Sequence, residues 1–243
     1  MENFEISVID ITMTDQTALK RAVAAKALDY VTDGMKLGLG SGSTAEIFVE
    51  LLAARGVKNL TCVATSEKTA ALARKVGLTL AALDDAAPLD LTIDGADEAD
   101  RDLNLIKGGG GMLLREKIVA SASKQMVVIA DASKLVAQLG KFPLPVEVVA
   151  FGHKSTAVRL AAAVAALGYA NIPITLRQRD GAVFKTDNGN VIYDIAFGAI
   201  RNAPELASTI SAVPGVVEHG LFIALATTLL IAGPGEVEVI TRA

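Results

Sequence analysis

Two spacings of apolar residues alternate along this chain from about residue 17 onward. The segment "STAEIFVELLAARG" carries apolar residues on one helical face from Ile47 to Leu52, with a Ser/Thr cap at its start and Gly56 at its end. Short apolar runs of strand character lie between such helical segments, among them "MKLGLG", "NLTCVAT", "LTLAAL", "LDLTID" and "QMVVIAD". Strands that alternate with helices predict a mostly parallel sheet with helices on both faces.

The pattern changes after "GKFPLPVEV". A helical segment, "STAVRLAAAVAALG", precedes the strand-like runs "PITLRQ" and "VIYDIAF", and the helical segment "APELASTISAV" follows them. The Asn188-Gly189 pair before the second run predicts a hairpin. We therefore expect a small α+β subdomain at residues 146–218, a main sheet domain formed by residues 17–145 and 219–243, and an N-terminal extension at residues 1–16. The late apolar run "LFIALATTLLIAG" is interpreted as buried strand.

Composition narrows the class of protein. The 243 residues are 51% hydrophobic and 21% charged, which describes a compact fold with little room for disorder. The net charge of −4 provides no basic surface for nucleic acid or an anionic membrane, and the longest apolar run is shorter than the roughly 20 residues of a membrane-spanning helix. Because Cys62 is the single cysteine and the amino terminus is not signal-like, we expect a cytoplasmic protein without an internal disulfide.

The segment "GLGSGSTAE" ends a predicted strand and opens a predicted helix. Glycines let a ligand approach the backbone, and a helix start offers unpaired N–H groups and the positive end of the helix dipole. The glycine spacing differs from the dinucleotide fingerprint, and no Gly-Lys-Ser/Thr of a P-loop follows. The hydroxyls of Ser41, Ser43 and Thr44 beside Gly42 favour the phosphate of a sugar phosphate. A tight strand-to-helix turn with an ordinary cap is the alternative.

The acidic segment "LTIDGADEADRD" follows the next predicted strand. Asp94 lies where that strand should end, which is the position at which open α/β sheets bind ligands. The spacing from Asp94 to Asp97 does not match a calcium loop, and we expect no dedicated metal site. We interpret Asp94 and Asp97 as acceptors for sugar hydroxyls, and Asp100 and Asp102 as solvated loop residues.

Four consecutive glycines precede a predicted helix in "KGGGGMLLREK". Such a run costs on the order of 2–4 kcal/mol relative to alanine, so bare backbone must serve a purpose there. The N–H groups of Gly108 to Gly111 can stabilise a developing oxyanion, and Lys107 adds positive charge at the entrance. Glu116 follows about one turn later and can face the same ligand. The alternative is a flexible loop and an amphipathic helix with Arg115 and Glu116 on its surface.

Two further lysines, Lys20 in the first helix and Lys134 after "MVVIA", can complete a phosphate site, although each alone is more often a solvated charge. His153 and His219 have no serine or cysteine partner in a nucleophile motif, and Cys62 lies inside an apolar strand. We assign these last three residues structural or incidental roles.

In this order, the segments "GLGSGSTA", "DGADE", "KGGGGMLLREK", "ADASK" and "GKFPLPVEV" resemble ribose-5-phosphate isomerase of the A type. The resemblance extends from about Thr17 to the carboxyl end and includes "TDNGNVI" and "VPGVVEHGLF". It implies interconversion of D-ribose 5-phosphate and D-ribulose 5-phosphate through an enediolate, in the non-oxidative branch of the pentose phosphate pathway, without a metal or organic cofactor. It also implies a doubly wound, Rossmann-like α/β fold with a smaller α+β subdomain, and a homodimer or homotetramer.

The same resemblance assigns roles to residues. It implies that Glu116 of "REK" is the general base, and that Asp94 and Asp97 bind the sugar hydroxyls. Lys107 and the glycines would hold the reacting end. The further substrate-binding residues that it implies are Ser41, Gly42, Ser43, Thr44, Gly95, Ala96, Gly108, Gly109, Gly110, Lys134 and Lys20. The residue types suit the reaction, because one carboxylate can move a proton between adjacent carbons while a lysine and preset N–H groups stabilise the enediolate oxygen.

Two other functions stay open. One is a sugar-phosphate-binding sensor of the same fold that performs no chemistry. Such regulators normally carry a DNA-binding helix-turn-helix, for which we expect no room in the residues before Thr17. A module that only binds its ligand also has no use for a general base beside an oxyanion site. The other is an enzyme that acts on a different phosphosugar or on a coenzyme A ester. The combined motifs favour the isomerase.

Overall fold

The computed structural model describes residues 16–242. The predicted N-terminal extension, residues 1–16, lies outside the described residues except for Gln16, which is already the first residue of a helix. The helices are α1 (Gln16–Ala27), α2 (Ser43–Arg55), α3 (Glu67–Lys75), α4 (Leu83–Ala86), α5 (Leu113–Ser121), α6 (His153–Ala166) and α7 (Ala203–Ser211), with 3-10 turns at Leu28–Tyr30 and Ala132–Lys134. The strands are β1 (Lys36–Leu39), β2 (Thr61–Ala64), β3 (Leu91–Asp94), β4 (Glu98–Ala99), β5 (Leu105–Ile106), β6 (Met126–Asp131), β7 (Leu144–Val148), β8 (Ile174–Leu176), β9 (Gln178–Arg179), β10 (Ala182–Val183), β11 (Val191–Ile195), β12 (Val216–His219), β13 (Leu221–Phe222), β14 (Thr228–Ala232) and β15 (Glu238–Thr241).

The main sheet is mostly parallel, which confirms the predicted α/β class. Within residues 16–242 it has six strands in the order β15-β14-β6-β3-β1-β2, and β15 alone runs antiparallel to its neighbour. Alternate residues of β6 face opposite sides: Val127 and Ile129 pack in the cluster that includes α1 and α2, whereas Val128 and Ala130 pack with Ala120 of α5. A strand buried on both faces is expected to be continuously apolar, as β6 is from Met126 to Ala130.

The strand order opens a crevice in this sheet. From β1 the chain passes to β2 at the edge, and then returns to place β3 on the other side of β1. Helices leave the carboxyl ends of adjacent strands in opposite directions at such a switch point, and ligands bind in the gap. The fold therefore brings the segments after β1 and β3 to one edge of the sheet.

A second sheet is antiparallel, with the order β12-β7-β11-β8. Leu160 of α6 and Leu206 of α7 pack against Val146 of β7 in one buried cluster. A three-stranded sheet, β13-β5-β4, and the short β9-β10 hairpin complete the strands of the described residues. No helix within residues 16–242 is long and apolar enough to cross a bilayer.

Two local predictions were wrong, and a third, the buried strand in the late apolar run, was incomplete. The run "LTLAAL" is not a strand, because Leu80 makes a single bridge to Cys62 before the chain turns into α4. The late apolar run is two strands, since β13 pairs with β5 and β14 pairs with β6 in a different sheet. The paired hairpin lies at Asp180-Gly181, both with positive φ, whereas Asn188-Gly189 forms a turn before β11 without a paired strand on its other side.

Candidate active site

One cleft at the carboxyl ends of the parallel strands gathers most of the predicted site residues. The segments that follow β1, β3, β5 and β6 border it, and α1 contributes one lysine. It is small, with a volume of about 230 Å³. Every predicted site residue except Asp94 is in its lining, which consists of Lys20, Ser41, Gly42, Ser43, Thr44, Gly95, Ala96, Asp97, Lys107, Gly108, Gly109, Gly110, Met112, Glu116, Ile129, Ala130, Asp131 and Lys134.

The start of α2 forms one end of the cleft. The predicted Ser/Thr cap is wrong, because the N-cap is Gly42 (φ 98°), which has no side chain to cap the helix. The first-turn N–H groups therefore have no partner inside the helix, and Ser43 and Thr44 stand beside them in the cleft lining. Lys20 Nζ donates a hydrogen bond to Ser43 Oγ (3.0 Å), and Lys134 lines the same cleft. This combination of donors suits a phosphate group.

The preceding residues hold this loop in place. Ser41 is buried, and its hydroxyl is hydrogen-bonded to Thr65 (2.7 Å) inside the protein. Its backbone N–H donates to Asp94 Oδ1 (3.1 Å). A Cβ on Gly40 would lie 2.2 Å from the carboxyl carbon of Asp94, so the two loops can approach only because residue 40 is glycine.

Asp94 lies beneath the cleft and does not line it. The side chain is fully buried, and Oδ1 accepts hydrogen bonds from the N–H groups of Ser41 and Gly95. Oδ2 is 3.1 Å from Lys107 Nζ. Two backbone N–H groups hold Oδ1 and the ion pair with Lys107 faces Oδ2, so a contact between Asp94 and sugar hydroxyls stays a prediction.

Lys107 connects the two carboxylates at this end of the cleft. Its Nζ is 3.1 Å from Asp94 Oδ2, 3.3 Å from Glu116 Oε2 and 2.6 Å from the carbonyl oxygen of Gly95. The side chain is 3% exposed, and the ammonium lies 5.5 Å from the centre of the Phe222 ring. A single buried ammonium therefore serves two buried carboxylates.

The buried charges shift one another's pKa values. The pKa of Glu116 is raised from 4.5 to about 8, because burial, the largest cause, and the neighbouring Asp94 together outweigh the opposing effect of Lys107. Burial also raises the pKa of Asp94, against the effect of Lys107. Burial alone would lower the pKa of Lys107, but Asp94 and Glu116 raise it above its usual value. Lys107 is therefore cationic at neutral pH, and Glu116 can both accept and release a proton there.

The glycine loop, residues 108–111, borders the cleft opposite α2. Of its four predicted N–H donors, two already have acceptors: Gly109 donates to Asp97 Oδ2 (2.7 Å) and Gly111 donates to the carbonyl oxygen of Gly108 (3.0 Å). Within residues 16–242, the N–H groups of Gly108 and Gly110 have no acceptor. The expectation of four free donors is thus corrected, because a tight loop closes with its own hydrogen bond.

A side chain is disfavoured at every position of the glycine loop: Gly108 has φ of +103°, and a Cβ on Gly110 would lie 2.5 Å from the flexible end of Met112. A Cβ on Gly109 would lie 2.6 Å from Asp97 Oδ1, and one on Gly111 would lie 2.4 Å from the Phe184 ring. Gly111 also has φ of +95°, which disfavours any other residue. Close approach to Asp97 on one side and to Phe184 on the other therefore explains why the chain has glycines there.

Sequence reasoning missed several residues around the site. Asp131 and Met112 line the cleft, and Asp131 could have been found by the rule used for Asp94, since it also ends a parallel strand. Arg177 and Asp194 hold the glycine loop from behind. Arg177 directly follows β8 and Asp194 lies in β11, more than sixty residues further along the chain than the glycine loop, and no local signal marks them.

The two histidines and the cysteine lie outside the cleft lining. His219 is buried, which lowers its pKa to about 4 and keeps it neutral, and its Nε2 is 3.1 Å from Ser211 Oγ. His153 Nδ1 is 2.8 Å from the Tyr193 hydroxyl. Burial raises the pKa of the Cys62 thiol to about 11. Among residues 16–242, no group of three or more His, Cys, Asp or Glu side chains is arranged to hold a metal ion.

Comparison with known proteins points to one family. The family model described as ribose 5-phosphate isomerase A (phosphoriboisomerase A) matches residues 61–236. A protein of Nitrobacter hamburgensis named ribose-5-phosphate isomerase A is 54% identical over 93% of this chain and 98% of its own length. One of the same name from Brucella suis is 52% identical over 95% of this chain and the whole of its own length.

Similar solved structures belong to the same family as these similar sequences. Ribose 5-phosphate isomerase from Plasmodium falciparum superimposes with a TM-score of 0.87 at 38% identity, covering 93% of this chain and 98% of its own. Ribose 5-phosphate isomerase A from Neisseria gonorrhoeae has the same TM-score and identity, covering 95% and 99%. A D-ribose-5-phosphate isomerase in complex with phospho-erythronic acid matches with a TM-score of 0.84 at 33% identity, covering 93% and 98%.

Proposed function

Since this chain belongs to the ribose 5-phosphate isomerase A family, we propose that it interconverts D-ribose 5-phosphate and D-ribulose 5-phosphate and that the cleft at the carboxyl ends of the parallel strands is its active site. The observation that carries the proposal is the arrangement of Lys107 between Asp94 and Glu116, beside a loop with unpaired N–H groups. A carboxylate, an ammonium and backbone donors at one point are what an enediolate intermediate requires.

The phosphate binds at the start of α2. The first-turn N–H groups, the hydroxyls of Ser43 and Thr44, and the ammonium groups of Lys20 and Lys134 surround that end of the cleft. Binding there fixes the distant end of the sugar, so that its interaction energy orients the reacting carbons. The sugar then extends toward Gly95, Ala96 and the glycine loop, which the resemblance also assigns to substrate binding.

Glu116 transfers the proton. Its carboxylate removes the proton from C2 of the open-chain aldose and returns it to C1, while the hydroxyl proton on O2 moves to O1. Negative charge develops on the oxygen of the enediolate, and Lys107 with the Gly110 N–H stabilises it without reorganising. Asp94 and Asp97 orient these groups, since Asp94 binds Lys107 and Asp97 binds the glycine loop. Proton transfer between adjacent carbons consumes no electrons, so we propose a reaction without metal or organic cofactor.

The setting of the enzyme follows from the same proposal. We place it in the cytoplasm, in the non-oxidative branch of the pentose phosphate pathway. We divide it into a main domain of residues 17–145 and 219–243 and a subdomain of residues 146–218.

We also propose that the enzyme is a homodimer or homotetramer. The apolar side chains of Phe151, in the turn before α6, and Val158, within α6, are 93% and 70% exposed, which supports an interface between subunits.

The test compares wild type with Glu116→Gln, and uses Glu50→Gln on the exposed side of α2 as the matched control. We expect conversion of ribose 5-phosphate by wild type and by the control, unchanged by EDTA, and a loss in kcat of about 10³-fold in Glu116→Gln, within the range of general-base catalysis. Reaction in deuterium oxide should place deuterium on the reacting carbons. Circular dichroism checks that each variant is folded.

Each part of the proposal has its own contrary result. Full activity of folded Glu116→Gln would remove Glu116 as the base, and loss of activity with EDTA would remove the cofactor-free reaction. A wild type that binds ribose 5-phosphate without converting it would favour the sensor of the same fold. Conversion of a different phosphosugar in preference would change the substrate.

A further inference from the structure

Arg177 contacts the glycine loop from outside the cleft lining. Its Nη1 donates to the carbonyl oxygens of Gly108 (2.7 Å) and Gly109 (3.1 Å). Its Nε donates to Asp194 Oδ2 (2.8 Å), and its Nη2 donates to Asp194 Oδ1. The side chain is 11% exposed and does not line the cleft. A largely buried guanidinium, held by two hydrogen bonds to Asp194, therefore binds two successive peptide carbonyls.

The geometry of the peptide bond carries this contact to the cleft. In a trans peptide, the C=O and the N–H of the next residue point in opposite directions. The Gly108 carbonyl binds Arg177, and the N–H of the same peptide, on Gly109, reaches Asp97 in the cleft lining. The next peptide repeats the arrangement: its carbonyl, on Gly109, binds Arg177, which leaves the Gly110 N–H directed away from Arg177.

The Gly110 N–H is available for a ligand. Gly110 lines the cleft, and its N–H has no acceptor among the residues that the structure describes. A charged donor on the carbonyl polarises the peptide and makes its N–H a stronger donor, because linked hydrogen bonds reinforce one another. Asp194 neutralises most of the long-range charge of Arg177, so the effect on the cleft passes through the orientation and polarisation of these peptides.

We propose that Arg177 is a positioning residue for the isomerisation, which holds the glycine loop so that the Gly110 N–H meets the oxygen on which charge develops. The proposal rests on the proposed isomerase function. It gives the antiparallel sheet a part in the reaction, since Arg177 follows β8, Asp194 lies in β11, and neither lines the cleft. The substrate does not contact Arg177, so its removal should weaken the transition state more than substrate binding.

The main test compares Arg177→Met with Arg179→Met. Arg179 is a matched control, because it lies near the same Phe184 ring but is exposed. Its contact with the Gly110 carbonyl oxygen is long, at 3.5 Å. We expect kcat for ribose 5-phosphate to fall about 10- to 100-fold in Arg177→Met, below the full loss of a direct oxyanion donor, with KM within about twofold of wild type. Arg179→Met should keep both constants near those of wild type.

A second measurement separates positioning from general stability. Arg177→Ala should regain part of its kcat when about 20 mM guanidinium, too dilute to denature, is added, because the free cation can occupy the vacated site between the carbonyls and Asp194. Arg177→Lys should give an intermediate kcat, since lysine keeps the charge without the planar fork. Melting temperatures are measured for every variant.

The outcomes distinguish this proposal from the proposed function. An inactive wild type contradicts the isomerase itself, whereas an active wild type with unchanged kcat in folded Arg177→Met overturns the role of Arg177 alone. A raised KM at constant kcat, or a lower melting temperature without rescue by guanidinium, would also overturn it. If Arg177→Met does not fold, the kcat values of Arg177→Lys and Asp194→Asn test the role of Arg177 in its place. Unchanged kcat in both variants would overturn that role.

Discussion

The two ends of the cleft differ in how they hold charge. At the reacting end, Asp94, Lys107 and Glu116 are 0%, 3% and 4% exposed, and each has its charged partners within the protein. At the phosphate end, Lys20 and Lys134 are partly exposed, on separate segments of the chain. The reacting end is therefore already ordered before a ligand arrives, whereas the phosphate end is open to solvent.

This difference matches what each end does in the proposed reaction: one end stabilises charge in the transition state, and the other binds the phosphate. Charge that develops in a transition state is stabilised best by groups that are already oriented and shielded from water, since they need no reorganisation. A phosphate is charged before and after the reaction, so solvated lysines can bind it and release it again. We expect substitutions at the reacting end to lower kcat, and substitutions at the phosphate end to raise KM.

The largest expected effect is that of Lys107→Met. We expect kcat/KM to fall on the order of 10³-fold, comparable to loss of an oxyanion donor. Lys124→Met, in which an exposed lysine paired with Asp90 is removed, is the matched control and should stay near wild type. Steady-state kinetics with ribose 5-phosphate measure both. A loss of less than tenfold in the folded variant would contradict the assignment of Lys107 to the reacting end.

A smaller effect is expected for Lys134→Met at the phosphate end. Loss of one charged hydrogen bond of about 1.5–3 kcal/mol corresponds to roughly a 10- to 100-fold rise in KM, with kcat changed less. Inorganic phosphate should also compete less well against substrate in this variant. Lys124→Met, which removes an exposed lysine outside the cleft lining, is the control. A fall in kcat at constant KM would remove the distinction between the two ends.

The smallest expected effect is a shift in pH dependence. A base with a pKa of about 8 predicts that kcat/KM rises with pH up to about that value. Asp94 raises the pKa of Glu116, so Asp94→Asn should move the midpoint of the rise to lower pH, whatever its effect on the maximum rate. A midpoint that stays in place would show that the two carboxylates do not interact.

The same shift affects folding stability with a defined sign. The folded chain keeps a proton on Glu116 between pH 4.5 and about 8, where the unfolded chain has released it, so Glu116 makes the protein less stable as pH rises through this window. Urea unfolding of wild type and Glu116→Gln at several pH values measures the effect. The stability of the variant relative to wild type should increase with pH across the window, and a constant difference would contradict it.

The sequence alone determined the local features of this protein. The alternation of helix and strand periods predicted the parallel sheet, and the strand ends and glycine-rich segments placed the cleft, since both depend on residues close together in the chain. The resemblance of the ordered motifs to the isomerase family was confirmed by the family match and by solved structures at 38% identity. Short-range periodicity is readable because side chains return to the same face every 3.6 residues in a helix and every two residues in a strand.

Tertiary structure decided which groups meet. The burial of Asp94 under Gly40, the occupation of the Gly109 N–H by Asp97, and the contact of Arg177 with the glycine loop join segments 12 to 69 residues apart. No local pattern encodes such contacts, because they depend on strand order and on how two sheets pack. For the same reason, the sequence could name Lys107 and Glu116 but could not show that one buried ammonium holds both Asp94 and Glu116.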